Sequence, residues 1–302
     1  MAKARFDIQQ HVTDTIIAQI EAGTPPWRKP WTGDASGASF PLRHTGHAYK
    51  GINILMLWAT AMVKGYNSAR WMTFKQAQDL GGNVRKGEKS TKSVYYGSFE
   101  KETEGDNGEV EITTRRFAKA FSVFNADQIE GLPEEYYIRP EPPRDLGTEA
   151  DPALDAFFAS TGAEIITSDD PRAYYHPVKD NIHMPPIATF FNASGYYGTL
   201  AHELGHYLLA EKRIGTQKTH ANRQEYAIGE LEAEIFSAFL AVQLGFEPHF
   251  DQSAAYVENW LKALKNDKGL IFKAAANAQK ALDYVNSRTT PADADPQEQE
   301  AA

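Results

Sequence analysis

The stretch Tyr196-Tyr197-Gly198-Thr199-Leu200-Ala201-His202-Glu203-Leu204-Gly205-His206-Tyr207-Leu208-Leu209-Ala210 decides how the rest of the chain is read. On a helix, residues four apart lie about 40° apart on one face and one turn along the axis, so the imidazoles of His202 and His206 can meet one metal ion. Glu203 sits beside them, where a carboxylate can take a proton from water activated by that ion. This H-E-x-x-H spacing is the pattern of zinc hydrolases. Apolar and small residues on both flanks predict a buried helix rather than a charged surface, which favours a metal site over a chance match.

A catalytic zinc usually keeps three protein ligands and one open position, so a third must come from elsewhere. The extended pattern H-E-x-x-H-x-x-G-x-x-H is excluded, because positions 209 and 212 are Leu209 and Lys212. The segment Glu225–Phe236 reads as a helix and offers Glu230, Glu232 and Glu234. Glu230 and Glu234 share a face with the small residues Ala227, Ala238 and Ala241, whereas Glu232 points nearly the opposite way and reads as solvated. Close packing on the small-residue face would bury both carboxylates, which then need partners. In glutamate-zincin metallopeptidases a ligand glutamate is followed four residues later by an acidic residue that orients a ligand histidine. That arrangement makes Glu230 the expected ligand and Glu234 the acceptor for an imidazole N–H, that of His202. Glu234 as the ligand, and His220, stay as alternatives. Zn2+ is the expected ion, with Mn2+ or Co2+ also suited to the donor set.

Cysteine is absent, so thiolate sites and disulfides are excluded. The 302 residues, 42% hydrophobic and 24% charged, suit two soluble α+β domains. Met1-Ala2-Lys3-Ala4-Arg5-Phe6-Asp7 leads into no apolar signal segment, and no apolar run approaches the roughly 20 residues of a membrane span. A cytoplasmic location without a membrane partner is expected. The net charge of −9 is uneven: residues 1–131 carry 17 Lys/Arg against 14 Asp/Glu, and residues 132–302 carry 14 against 26.

Apolar periodicity predicts helices over 7–22, 52–63 and 73–80, then a hairpin of 94–99 with 110–124 across an acidic turn. Pro133, Pro140, Pro142 and Pro143 mark a linker, giving an N-terminal domain over 1–132, a linker over 133–148 and a second domain over 149–288. Within the second domain a helix over 152–160, strands near 164–166, 174–177 and 181–184, and helices near 253–265 and 268–286 are expected. Residues 289–302 read as a disordered tail.

The first half interleaves aromatics with cations: Trp27, Arg28, Lys29, Trp31, Arg43, Lys50, Arg70, Trp71, Lys75, Arg85, Lys86 and Lys89. Between residues 41 and 97 nine basic residues face only Asp79 and Glu88, an excess of seven. Aromatic faces stack on unpaired bases while Lys and Arg neutralise phosphates, so single-stranded DNA is the expected partner. No duplex-reading signature is visible.

The chain resembles antirestriction proteins of the ArdC type along nearly its whole length. Pro26-Trp27-Arg28-Lys29-Pro30-Trp31, Tyr49-Lys50-Gly51-Ile52-Asn53, Trp71-Met72-Thr73-Phe74-Lys75-Gln76-Ala77, Gly81-Gly82-Asn83-Val84-Arg85-Lys86-Gly87-Glu88 and Phe124-Asn125-Ala126-Asp127-Gln128-Ile129 resemble that family's single-stranded-DNA-binding domain. Asp180-Asn181-Ile182-His183-Met184-Pro185, the H-E-x-x-H segment and Tyr226–Glu234 resemble its zincin-like metallopeptidase domain, which also occurs in phage and plasmid polyvalent proteins. Gly229-Glu230-Leu231-Glu232 departs from the more usual Glu-Glu-Leu-Val but leaves Glu230 and Glu234 in register. The resemblance implies a protein of a conjugative plasmid that shields incoming DNA from host restriction. It further implies a zinc metallopeptidase with Glu203 as general base and a host restriction-system protein as possible substrate. The competing reading is a DNA-binding protein whose metal is structural or regulatory. Glu203 disfavours it, since a purely structural site gains nothing from that carboxylate.

Overall fold

The computed structural model describes residues 6–28, 39–104, 110–218, 222–247 and 254–289. Lys29, Trp31, His220 and the tail over 290–302 therefore lie outside the described residues.

Helix α1 (Ile8–Glu21) starts where Asp7 accepts a hydrogen bond from the Gln10 N–H, and it buries Val12, Ile16 and Ile20 on one stripe. Strand β1 (Leu42–Arg43) precedes α2 (Ile52–Lys64), buried continuously from Ile54 to Ala59 and hence covered on more than one side. Strand β2 (Arg70–Met72) leads to α3 (Phe74–Asp79), which is fixed by a reciprocal capping box between Thr73 and Gln76. Strand β3 (Asn83–Val84) pairs with β6 (Ile129–Glu130), and between them runs the hairpin of β4 (Thr91–Glu104) and β5 (Val110–Asn125). The hairpin is longer than its hydrophobic alternation indicates. It completes a sheet in the order β1-β2-β5-β4.

In the second half, α4 (Pro152–Ser160) is capped by Asp151, with proline in its first turn. Strands β7 (Glu164–Thr167), β8 (Tyr174–His176) and β9 (Asn181–Met184) form a sheet in the order β7-β9-β8, with β9 parallel to β7 and antiparallel to β8. Helices α5 (Ala193–Leu209), α6 (Arg223–Leu244), α7 (Ala254–Asn266) and α8 (Leu270–Thr289) complete the chain. Helix α6 packs against α5 on one side and α8 on another. Gly205 permits the close approach of α5 and α6, since a Cβ there would stand 3.1 Å from Ala233 Cα and 3.0 Å from the Phe236 ring.

The two halves share one apolar core. Trp27 meets Trp260 of α7 edge to face at 6.1 Å, the Thr13 hydroxyl donates to the Lys268 carbonyl at 2.8 Å, and the Gly51 N–H donates to Gln279 Oε1 at 3.0 Å. Residues 133–148 are packed rather than freely spanning: Tyr136 is buried with Met72 and Ile129, and the Arg144 N–H donates to the Gly245 carbonyl. Cutting the chain near residue 135 would strip the cover from α1 and α2. No helix among the described residues is long and apolar enough to cross a membrane.

Candidate metal centre

His202 and His206 project from α5 and Glu230 from α6, which the Gly205 contact holds against each other. The two Nε2 atoms lie 3.1 Å apart, Glu230 Oε2 lies 3.3 Å from His202 Nε2, and Glu230 Oε1 lies 3.4 Å from His206 Nε2. Ligand atoms about 2.0–2.1 Å from a tetrahedral ion stand about 3.3 Å from one another. The three donors already have that separation and therefore fit a divalent ion. Among the described residues no other group of three or more His, Asp or Glu side chains offers such a cluster.

The electrostatics of the three groups are coupled. Burial alone would lower the pKa of His206, but hydrogen bonding and charge from Glu230 outweigh it and push it up to about 9. His202 is raised for the same reason. Burial opposes ionisation of Glu230, yet its hydrogen bonds to the two imidazoles hold the carboxyl well below the usual carboxylate range. In the metal-free protein a proton therefore occupies this triangle at neutral pH, and a metal must displace it.

Gln217, in the connection between α5 and α6, went unnoticed in the sequence. Its Oε1 lies 2.9 Å from His206 Nδ1, and its Nε2 donates to the Gly229 carbonyl at 2.9 Å. That second bond fixes which end of the amide faces the ring, so His206 carries its proton on Nδ1 and turns Nε2 to the metal position. Replacing Gln217 by alanine is expected to weaken Mn(II) binding roughly 10–100-fold in calorimetry at fixed pH. Gln217→Glu, which keeps the acceptor, should retain tight binding. Unchanged affinity in Gln217→Ala would remove the residue from the site.

Glu234 is buried beyond Glu230, and its charge contributes to raising His202. Glu232 is a correction: it is not solvated but 4% exposed, accepting from Asn277 Nδ2 at 2.7 Å and from the Thr216 hydroxyl at 3.2 Å. Burial pushes its pKa up. The helical wheel misleads here because α6 is covered by α8 on the side taken to be open.

The triangle opens into a cleft of about 690 Å³ lined by Tyr174, Tyr175, Pro177, Glu203 and Tyr226 among others. Glu203 Oε2 accepts the Tyr175 N–H at 2.7 Å, which aims the carboxylate between β8 and the two histidines. Strand β9 is paired on both sides and has no edge to offer a peptide. The edge strands are β7 and β8, and β8 is the one beside Glu203. Tyr226 stands half-exposed in the cleft with its hydroxyl 3.2 Å from that of Tyr256. Burial, the Tyr256 contact and the Glu230 charge hold its pKa well above the usual tyrosine range, so it is a donor. His176 instead accepts the Lys179 N–H through Nδ1 and closes the β8–β9 turn.

The aromatic and basic residues of the first half are less uniform. Trp27 and Trp71 are 0% and 2% exposed, so neither indole offers a stacking face, and their large apolar area is core instead. Lys75, Arg85, Lys86 and Lys89 are exposed, with Arg85 paired to Glu88 at 2.9 Å. Lys50 lies 3.6 Å from Asp283. Arg70 donates to the Arg43 carbonyl and lies over the Tyr136 ring, while Arg43 lies over Tyr49. Arg28 is half-buried beside Trp27 in sequence.

Fold and site together define a zincin-like metallopeptidase domain that shares its core with an N-terminal α+β domain. Family models agree: the N-terminal domain of anti-restriction factor ArdC matches residues 6–124, and a zincin-like metallopeptidase matches residues 152–277. The metal-free crystal structure of the antirestriction ArdC protein from plasmid R388 superposes with a TM-score of 0.84 at 55% identity, covering 94% of this chain and 98% of that one. Its Mn(II)-bound structure gives 0.81 at 54% identity, covering 94% and 99%. The chain belongs to the ArdC antirestriction family. The uncharacterized protein y4eC of Sinorhizobium fredii is 35% identical over 95% of this chain and 94% of its own length. The DNA primase TraC of Escherichia coli is 38% identical over 94% of this chain, which spans only 27% of that protein. The Mn(II)-bound relative accords with a divalent metal here, zinc and manganese both being allowed by the donor set.

Proposed function

We propose that this chain is a cytoplasmic antirestriction protein that binds single-stranded DNA and carries a metal-dependent peptidase centre acting on a host restriction-system protein. The observation that carries the peptidase half is the triangle of His202, His206 and Glu230 with Glu203 fixed beside it by the Tyr175 N–H. A bound divalent ion would supply Lewis acidity toward a peptide carbonyl and acidify water. Glu203 then accepts the water proton and returns it to the leaving amine. Tyr226, kept protonated, donates toward the developing oxyanion. The outer edge of β8, with Tyr175 already facing the cleft, aligns an extended peptide by strand addition.

The DNA half is supported by the match to the ArdC N-terminal domain and by the excess of cations over residues 41–97. Fluorescence anisotropy on the full chain tests it, because the shared core makes a truncated first half unsuitable. Neutralising four or five phosphates gives a slope of log K against log salt of about −3. A flat salt response, or equal affinity for blunt duplex, would refute this half of the reading.

A further inference from the structure

We propose that Asp180 and Arg213 are positioning residues, which set Glu203 by anchoring the side chain of Tyr175. The proposal rests on the peptidase reading above and says what holds its proton acceptor in place. Strand β8 is three residues long and, among the described residues, pairs with β9 alone. So short an edge strand needs a further tie to keep a fixed distance from α5. Its Tyr175 N–H must nevertheless meet Glu203 Oε2 at 2.7 Å.

The tie is made by the side chain of the same residue. The Tyr175 hydroxyl donates to Asp180 Oδ1 at 2.7 Å and accepts from Arg213 Nη2 at 3.3 Å. Arg213 Nη1 donates to Asp180 Oδ2 at 3.1 Å, and Nη2 pairs with Oδ1. The guanidinium also lies on the Tyr207 ring, 3.4 Å from its centroid, and its Nε donates to the Tyr207 carbonyl. Tyr207 follows His206 on α5. One cation thus joins the metal helix to the strand that grips Glu203.

Two observations set this cluster apart from a surface ion pair. The Arg213 side chain is only 11% exposed, so its charge sits where it has to be paired and hydrogen-bonded. Asp180 is the one non-glycine residue with positive φ among those described, at 63°. Glycine or asparagine would suit that turn position as well, but neither brings the charge that Arg213 requires.

The test uses full-length, Zn(II)-loaded protein and acetohydroxamate, followed by calorimetry. This probe chelates a divalent ion through two oxygens and gives its acidic proton to a neighbouring base, so its affinity reads Glu203 as well as the ion. Glu203→Gln is the reference, expected to weaken it roughly ten- to a hundredfold. Tyr175→Phe, which removes one oxygen and keeps the N–H, and Asp180→Asn are each expected to weaken it roughly three- to tenfold, with Zn(II) affinity unchanged. The Glu203→Gln/Tyr175→Phe protein should bind no more weakly than Glu203→Gln alone, since Tyr175 acts through Glu203. Original affinity in Tyr175→Phe and Asp180→Asn, beside a loss in Glu203→Gln, would overturn the positioning role and leave the peptidase reading intact. No loss in Glu203→Gln would overturn both. Additive losses in the double variant, or a parallel fall in Zn(II) affinity, would make the cluster a prop of the fold and overturn the proposal.

Discussion

Replacing Glu230 by alanine is expected to abolish stoichiometric Mn(II) or Zn(II) binding, with a loss well beyond a hundredfold. Its two carboxylate oxygens face both imidazoles at 3.3 and 3.4 Å, so one truncation removes a ligand and the charge that balances the ion. Glu234→Ala removes only a group standing behind, a loss of roughly 10–100-fold. The opposite order in calorimetry would sink the ligand assignment. The same carboxylate governs the pH response. His206, raised to about 9 in the metal-free protein, is protonated at neutral pH, so apparent metal affinity should climb as pH rises toward that value.

Stability of the metal-free fold runs in the other direction. A raised histidine pKa contributes stability that is full below about 6.5, the unfolded value, and is lost as pH rises through about 9. The lowered Glu230 contributes above the ordinary glutamate pKa and is lost as pH falls through its folded value. These are two ends of one interaction, greatest between those limits. Metal at a hundred times its Kd adds about 2.7 kcal/mol, several degrees in Tm for a chain of this size. Glu230→Ala should erase both the metal-dependent rise in Tm and this pH dependence.

His202, Glu203, His206 and Glu230 were legible because helical periodicity converts spacing into direction, and both helices run unbroken through the site. Gln217 was not, because it sits in a connection whose path no periodicity dictates. Glu232 shows the limit of the wheel: it tells which residues share a face, but not whether a second helix covers the opposite one. Trp71 was misplaced because its neighbour Arg70 suggested a binding surface, whereas both faces of β2 are covered: the indole packs against Tyr66, and Arg70 is half-buried over the Tyr136 ring. The α+β class and nearly all helices were readable from local pattern alone. The sharing of one core between the halves was not, since it depends on long-range contacts such as Trp27 with Trp260.

Glu203→Gln is the substitution that separates cutting from binding. The amide oxygen can still accept the Tyr175 N–H, so the side chain keeps its place and the cleft its shape. What disappears is the proton acceptor, and general-base catalysis contributes roughly 10²–10⁴-fold. Mn(II) should remain bound, since none of the three donors is altered, and oligo(dT) affinity should stay at its original value. If protection from restriction depends on cleaving a host protein, a recipient carrying Glu203→Gln should lose protection while Lys86→Ala/Lys89→Ala weakens it independently through DNA. If protection comes from occupying DNA alone, Glu203→Gln should protect fully, and chelation should act only through Tm. The geometry favours the first outcome. A carboxylate that only balanced charge would have no need of an edge-strand N–H to aim it at the cleft, and Glu230 already neutralises the histidines. Full protection by the metal-loaded Glu203→Gln protein would refute the peptidase reading and leave a DNA-binding protein with a structural metal.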